Sequence, residues 1–263
     1  MKPALVIVGW AVAVALASCQ SSESNEPLPD PLVPPIDTIA TISPIASGWT
    51  ELANSPQTAG HFQDASFITP NEGWLAGLQG DVYHTTDGGA TWETLRSPSN
   101  LNGHPIFRSV VFVSPTLGWI GDLNNFTNPE PARSLWETRD AGKTFTNISS
   151  RITGFAPVGI CGLWSVDAST IYGVGRWNGP AVFVKSIDGG VTWQSKSLAP
   201  MMTGAVDVYF FDKQHGIIAG ARGVGNSAEE QTASRTVIAS TNDGGDTWVE
   251  RYVGSTTGHW AWK

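Results

Sequence analysis

The pattern Ser/Thr-x-Asp-x-Gly-x-Thr-Trp/Phe occurs four times in this chain, and nothing else in the sequence constrains the fold as tightly. The copies are Thr85-Thr86-Asp87-Gly88-Gly89-Ala90-Thr91-Trp92, Thr138-Arg139-Asp140-Ala141-Gly142-Lys143-Thr144-Phe145, Ser186-Ile187-Asp188-Gly189-Gly190-Val191-Thr192-Trp193 and Thr241-Asn242-Asp243-Gly244-Gly245-Asp246-Thr247-Trp248. Their aspartates lie 53, 48 and 55 residues apart. Each copy joins one apolar alternating stretch, such as Asp81-Val82-Tyr83-His84, to another, such as Trp92-Glu93-Thr94-Leu95, and so reads as a turn between two strands. The Asp is expected to accept bonds from turn amides, the Gly to supply positive φ, and the closing aromatic to anchor one sheet against the next.

A second register supports the same unit. Phe67 precedes Trp74 by seven residues, Phe112 precedes Trp119 by seven, Phe210 precedes Ile217 by seven, and Trp164 precedes Tyr172 by eight. From box aromatic to the next first-strand aromatic the intervals are 20, 19 and 17, and Trp49 stands 18 before Phe67. Repeats of this size fit an all-β propeller of four-stranded blades. Four complete blades are expected at about 61–95, 107–148, 159–197 and 205–252, with an outer strand at 48–52 and a partial blade from 258. The ladder predicts a propeller that is C-terminally incomplete; the open alternatives are a distorted ring closed by the last segment, or an edge covered by another protein.

Only 14% of residues are charged, with 15 Lys and Arg against 23 Asp and Glu, for a net charge of −8. Coiled coil, long-helix bundle and charged disorder are excluded on that profile, and the acidic field argues against nucleic acid as a partner. Residues 1–18 resemble a bacterial lipoprotein signal peptide: Lys2, a short apolar run from Leu5 to Ala17, then Leu16-Ala17-Ser18-Cys19. The resemblance implies a lipidated Cys19, and an exported domain anchored to the bacterial membrane. Gln20 after the cysteine implies the outer membrane in a Gram-negative cell. Residues 19–46 read as a Ser- and Pro-rich tether, whose 27 residues after the cysteine reach roughly 80 Å if extended, and 47–263 as the propeller. Cys161 is expected to be a buried small hydrophobe.

The four boxes resemble the Asp-box (BNR) repeats of sialidases, xyloglucan-degrading glycosidases, sortilin-type receptors and the photosystem II assembly factor family of lumenal propellers. Glu72-Gly73-Trp74-Leu75-Ala76-Gly77, followed by Gly80-Asp81-Val82-Tyr83 and its box, most resembles the last group, and Thr116-Leu117-Gly118-Trp119-Ile120-Gly121 repeats the theme. The resemblance runs from about residue 48 to the end and assigns the box to the scaffold. Asp87, Asp140, Asp188 and Asp243, with Trp92, Phe145, Trp193 and Trp248, are therefore expected to be structural. A sialidase of this kind carries an Arg in a short Arg-Ile-Pro-like motif before the first box. Here the first Arg is Arg96, after that box, which disfavours sialidase activity.

Length variation is concentrated between the second strand and the box, where the aromatic-to-aromatic counts are 18, 26, 21 and 31. Those loops emerge opposite the boxes, and variable loops on a rigid scaffold favour binding. Arg108, Asp122, Arg133, Arg176, Trp177, Arg222 and Arg235 are the candidate binding residues on that side, with Glu229 and Glu230 in the longest loop. His61, Asp64 and Asp207 fall in or beside innermost strands and are expected to line a channel. The pattern implies no metal and no cofactor. The expectation is a membrane-tethered scaffold that binds an exported or membrane protein without catalysis. The alternative is a glycan-binding protein or glycoside hydrolase using the same loops, with Asp64, Asp122 and Asp207 as formal carboxylates.

Overall fold

Alternating apolar side chains separated by Gly-rich turns fold this chain into successive antiparallel sheets. The computed structural model describes residues 54–56, 61–97, 105–124, 134–175, 179–223 and 233–258. Blade 1 runs β1 (Phe62–Phe67), β2 (Gly73–Gly77), β3 (Val82–Thr85) and β4 (Glu93–Arg96). Blade 2 runs β5 (Phe107–Phe112), β6 (Gly118–Asp122), β7 (Leu135–Thr138) and β8 (Thr146–Asn147), followed by a short β9 (Ile152–Gly154). Blade 3 runs β10 (Gly162–Ser165), β11 (Ile171–Gly175), β12 (Val182–Ser186) and β13 (Trp193–Ser197). Blade 4 runs β14 (Gly204–Phe210), β15 (Gly216–Arg222), β16 (Arg235–Thr241) and β17 (Val249–Val253). In every sheet these strands pair in sequence order. The second strands β6 and β11 are buried along their whole length, as strands covered on both faces are, whereas β17, the outermost, is exposed throughout.

One device positions the blades. A glycine opens the second strand at Gly73, Gly118 and Gly216, directly across from Phe67, Phe112 and Phe210. A Cβ on these glycines would lie 2.5, 2.6 and 2.7 Å from those rings, so only the bare backbone lets each Phe lie flat across it. The ring then meets the preceding blade: Phe112 stacks on Trp74 at 3.7 Å and 4°, and Phe210 on Tyr172 at 3.6 Å and 7°. The innermost strands pack in order, β1 on β5, β5 on β10 and β10 on β14.

Blade 3 departs from the expected register. The residue across from the opening position is Ser165, paired with Ile171, and Trp164 instead pairs with Tyr172 on the other face. Trp164 therefore does not occupy the place of Phe67, Phe112 and Phe210. The Phe/Gly pair has been exchanged for Ser/Ile, which keeps a bulky and a small residue opposite one another with the roles reversed. Blade 3 is also five-stranded, because β9 adds to its outer edge parallel to β13. Cys161 is buried, as expected of a small hydrophobe. The signal peptide, Cys19, the tether, the strand expected at 48–52 and residues 259–263 lie outside the described residues.

Candidate binding surface

The four boxes are near copies of one another in bonding as well as in sequence. The opening hydroxyl, buried in every case, donates to the Asp Oδ1: Thr85 to Asp87 at 2.8 Å, Thr138 to Asp140 at 2.9 Å, Ser186 to Asp188 at 2.8 Å and Thr241 to Asp243 at 2.7 Å. It also accepts the amide of the second box glycine, Gly89, Gly142, Gly190 or Gly245, at 2.8 to 2.9 Å. The Asp then accepts both the amide and the hydroxyl of the following threonine, as with Thr91 at 2.8 and 2.6 Å. Bonds from the Thr91 side chain, its amide and the Thr85 hydroxyl hold the Asp87 carboxyl down at about 2, and the corresponding bonds lower Asp140, Asp188 and Asp243. The opening Ser/Thr is thus the pivot of the turn, a role its invariant place in the repeat signals once the hydrogen bonds are drawn.

The box also ties to the hairpin between the first two strands of its own blade. Gly88 donates to the Asn71 carbonyl, Ala141 to Thr116, Gly189 to Ser169 and Gly244 to Gln214. Boxes and hairpins therefore share one side, and β2, β6, β11 and β15 deliver their C-terminal ends to the other. Burial of the box aromatics is uneven: Trp193 is fully buried, whereas Trp92, Phe145 and Trp248 are half-buried.

On the side opposite the boxes, Asp122, Arg108 and Arg222 are each bonded to the scaffold. Asp122 is fully buried; its Oδ1 accepts the amides of Ile106 at 2.9 Å and Asn124 at 2.8 Å, and its Oδ2 accepts Trp136 Nε1 at 3.1 Å. Arg108 occupies a bulge of β5, between Phe107 and Ser109, and donates to the Gln63 carbonyl of blade 1 at 3.3 Å. Arg222 closes β15, donates to the Met201 carbonyl at 2.9 and 2.7 Å and pairs with Glu250. Arg235 is exposed and stands in register opposite Arg222. The structure thus brings Arg222 and Arg235 together but joins neither to Arg108 by any described bond. Arg133, Arg176, Trp177, Glu229 and Glu230 lie outside the described residues.

Sequence reasoning passed over Asp81 on this same side. It is fully buried and fills the space above Gly77, the place that Asp122 takes in blade 2. Tyr83, whose phenol is raised by burial and then by Asp81, stands where Trp136 stands beside Asp122. Blade 1 rebuilds the same acid and aromatic pair from a different point in the chain, and only the register shows it.

Three innermost strands enclose a cavity of about 230 Å³ lined by Asp64, Ser66, Phe67, Phe112, Leu163 and Trp164. Its polar groups serve the scaffold: Asp64 Oδ2 accepts the Val110 amide at 3.0 Å and Ser66 Oγ accepts the Phe112 amide at 2.9 Å. Asp207, at the same register position on β14, accepts the Val208 amide at 2.9 Å, and His61 is exposed, its carbonyl accepting the Leu78 amide. Among the described residues no cluster of His, Cys, Asp and Glu is arranged to hold a metal ion.

Comparison with known proteins places these features. Residues 44–173, just under half of the chain, match the family model described as photosynthesis system II assembly factor YCF48. The photosystem II assembly lipoprotein Ycf48 of Trichormus variabilis is 38% identical over 95 residues, covering 35% of this chain and 27% of that protein. The match thus spans well under a third of the curated relative's length. Among solved structures, the Niastella koreensis GH74 enzyme superposes with a TM-score of 0.52 at 20% identity, covering 71% of this chain and 28% of that one, which is a likeness of fold. A Ycf48 bound to a D1 peptide covers 73% of this chain and 68% of that one, with a TM-score of 0.41 and 15% identity.

Proposed function

We propose, taking this chain as an Asp-box propeller similar to the photosystem II assembly factors, that it is a non-catalytic scaffold for another exported or membrane protein. The observation that carries this reading is the use of its carboxylates. The four box aspartates, Asp64 and Asp122 all accept backbone or side-chain N–H or O–H groups of the scaffold itself. A glycosidase needs a pair of carboxyls free to face a sugar, about 5 to 9 Å apart. A binding surface needs only a rigid frame and variable loops, and this chain has both. The curated relative's name, an assembly lipoprotein, fits both the scaffold and the anchor. In this reading acyl chains on Cys19 hold the domain at the bacterial membrane, the outer one if the cell is Gram-negative, and the side opposite the boxes receives the partner.

Pull-down of the intact lipoprotein from solubilised membranes tests it. A stoichiometric protein partner is expected, weakened by Arg222→Glu, and Cys19→Ser should move the chain from the membrane to the soluble fraction. Turnover of a glycan panel by the purified protein, lost on Asp64→Asn, would overturn the reading.

A further inference from the structure

Between β4 of blade 1 and the sheet of blade 2 lies a cavity of about 390 Å³, within the roughly 300–1,000 Å³ of small-molecule sites. Leu95 and Pro105 line it together with three rings of blade 2, Phe107, Trp136 and Phe145. The Phe107 ring stands 6.4 Å from Trp136 at 70° and 6.2 Å from Phe145 at 52°. The rings thus turn in different directions and leave no flat slot in which a planar ligand would stack.

The polar side chains of this lining divide into two that are committed and two that are not. Trp136 Nε1 donates to Asp122 at 3.1 Å, and the Thr144 hydroxyl donates to Asp140 at 2.6 Å. Arg96 donates through Nε to the Gly80 carbonyl and holds its guanidinium over the Phe107 ring, 5.8 Å from the centroid. Those contacts fix the plane of the fork, and its two terminal nitrogens make no bond among the described residues. The Lys143 ammonium, on the same cavity, has no described partner either. Other cations are spent within the scaffold: Arg139 and Arg151 on Glu137, Arg222 on Glu250, Lys185 and Lys196 on Asp246. In a chain of net charge −8, two uncommitted cations at one apolar cavity point to an anion from outside.

We propose that this cavity binds an unbranched monocarboxylate of the fatty-acid type, with its head on Arg96 and Lys143 and its alkyl chain against Phe107, Trp136 and Phe145. A guanidinium fork takes both oxygens of a carboxylate, and such charge-assisted bonds are roughly twice as strong as neutral ones. A sugar would bury hydroxyls against side chains that have no donor or acceptor left for them, which costs binding energy. A flexible alkyl chain needs only apolar contact and adapts to rings set at 52° and 70°. The site belongs to the seam between two blades, apart from the loops assigned above to a protein partner.

Isothermal titration calorimetry tests this, with octanoate below its micelle-forming concentration and the full chain carrying Cys19→Ser, purified without detergent. One octanoate per chain is expected. The neutral counterpart 1-octanol and the head alone, acetate, should each bind at least about tenfold more weakly. Arg96→Gln and Lys143→Gln should each raise the octanoate dissociation constant about tenfold, and Arg96→Lys, which keeps the charge without the fork, should fall between the native chain and Arg96→Gln. Native near-UV circular dichroism in each variant separates loss of the site from loss of fold. Arg251→Gln, which removes an exposed positive charge on β17, should leave the affinity unchanged and so separates a site from the general field. Absence of saturable binding, octanol binding as tightly as octanoate, or an affinity that neither Arg96→Gln nor Lys143→Gln lowers would overturn the proposal.

Discussion

At the junction of blades 1 and 2, and again at blades 3 and 4, a second-strand aromatic lies flat against a phenylalanine of the following blade and its polar tip reaches that blade's turns. Trp74 Nε1 donates to the Ala141 carbonyl at 2.9 Å, and the Tyr172 hydroxyl donates to Lys213 at 3.0 Å. Burial, with Asp167 and Asp212 nearby, pushes the Tyr172 phenol up to about 12, so it stays a donor. The junction of blades 2 and 3 has Ser165 where the phenylalanine would be. There Trp119 meets Trp193 edge to face at 6.2 Å and rests on the backbone of Gly190, and its own Nε1 is buried without a partner. At this junction the box aromatic Trp193 is fully buried, where Trp92, Phe145 and Trp248 are half-buried. Hydrogen bonding is not conserved. A polar clasp crosses this junction instead: Arg151 donates to buried Glu137 of blade 2 at 3.0 Å and to the Gly190 carbonyl of blade 3 at 3.2 Å.

The largest expected difference between the junction of blades 2 and 3 and that of blades 1 and 2 lies at the second box glycine. Gly190 and Gly142 both have positive φ, 80° and 90°, so alanine at either carries a similar backbone strain of about 1–2 kcal/mol. At Gly190 a Cβ would also stand 2.5 Å from the Trp119 indole, a rigid buried ring, whereas at Gly142 the nearest atom is the flexible end of Leu95 at 2.9 Å. Overpacking adds about 1–3 kcal/mol only where the neighbour cannot move. Gly190→Ala should therefore destabilise by about 2–5 kcal/mol in denaturant titrations, clearly more than Gly142→Ala; equal losses would mean that Trp119 does not rest on this turn. A smaller contrast separates the tryptophans themselves. Trp74→Phe removes a hydrogen bond and strands the Ala141 carbonyl, while Trp119→Phe removes an N–H that was already unpaired. Trp74→Phe should cost about 1 kcal/mol more than Trp119→Phe, and the reverse order would show that the indole of Trp119 has a donor role.

The four sheets among the described residues and the shared side of boxes and hairpins were legible because they rest on local rules: turn glycines, strand alternation and a fixed hairpin length. Blade 3 misled because its one-residue longer interval, from Trp164 to Tyr172, looks like a loop insertion when it is an exchange of bulk across the strand pair, Ser165 against Ile171. The three residues of β9 carry no period of their own and are strand only because β13 offers an edge. For the candidate site, composition and loop length pointed to the side opposite the boxes but not to what each side chain does there. Asp122 reads as an available carboxylate in sequence, and it is the cap that closes β5, β6 and β7 onto one another. Arg108 reads as a loop cation, and a bulge turns it toward the backbone of blade 1. Such roles depend on register between strands far apart in the chain.

The smallest effect concerns whether the box turns sense which kind of junction they serve. Asp188 belongs to the box under Trp119, and Asp140 to the box that receives Trp74; both are lowered first by the side chain and amide of their own threonine, Thr192 or Thr144. A carboxylate with a depressed folded value contributes stability that is complete above its unfolded value and is lost as pH falls through the folded one. With an ordinary value of 3.8 and Asp87 at about 2, the contribution of the Asp87 box should fade from about pH 4 down to about pH 2, and those of Asp140 and Asp188 should fade as pH falls below the ordinary value. These groups are exposed, so the change per box is small and is best read as the slope of the unfolding midpoint across that window. Asp188→Asn and Asp140→Asn should flatten the slope equally, because the bonds that set it lie within each turn. A flatter slope for Asp188→Asn alone would mean that the Trp119 and Gly190 contact strains its turn, and that the two kinds of junction differ in their boxes as well as in their aromatic stacks.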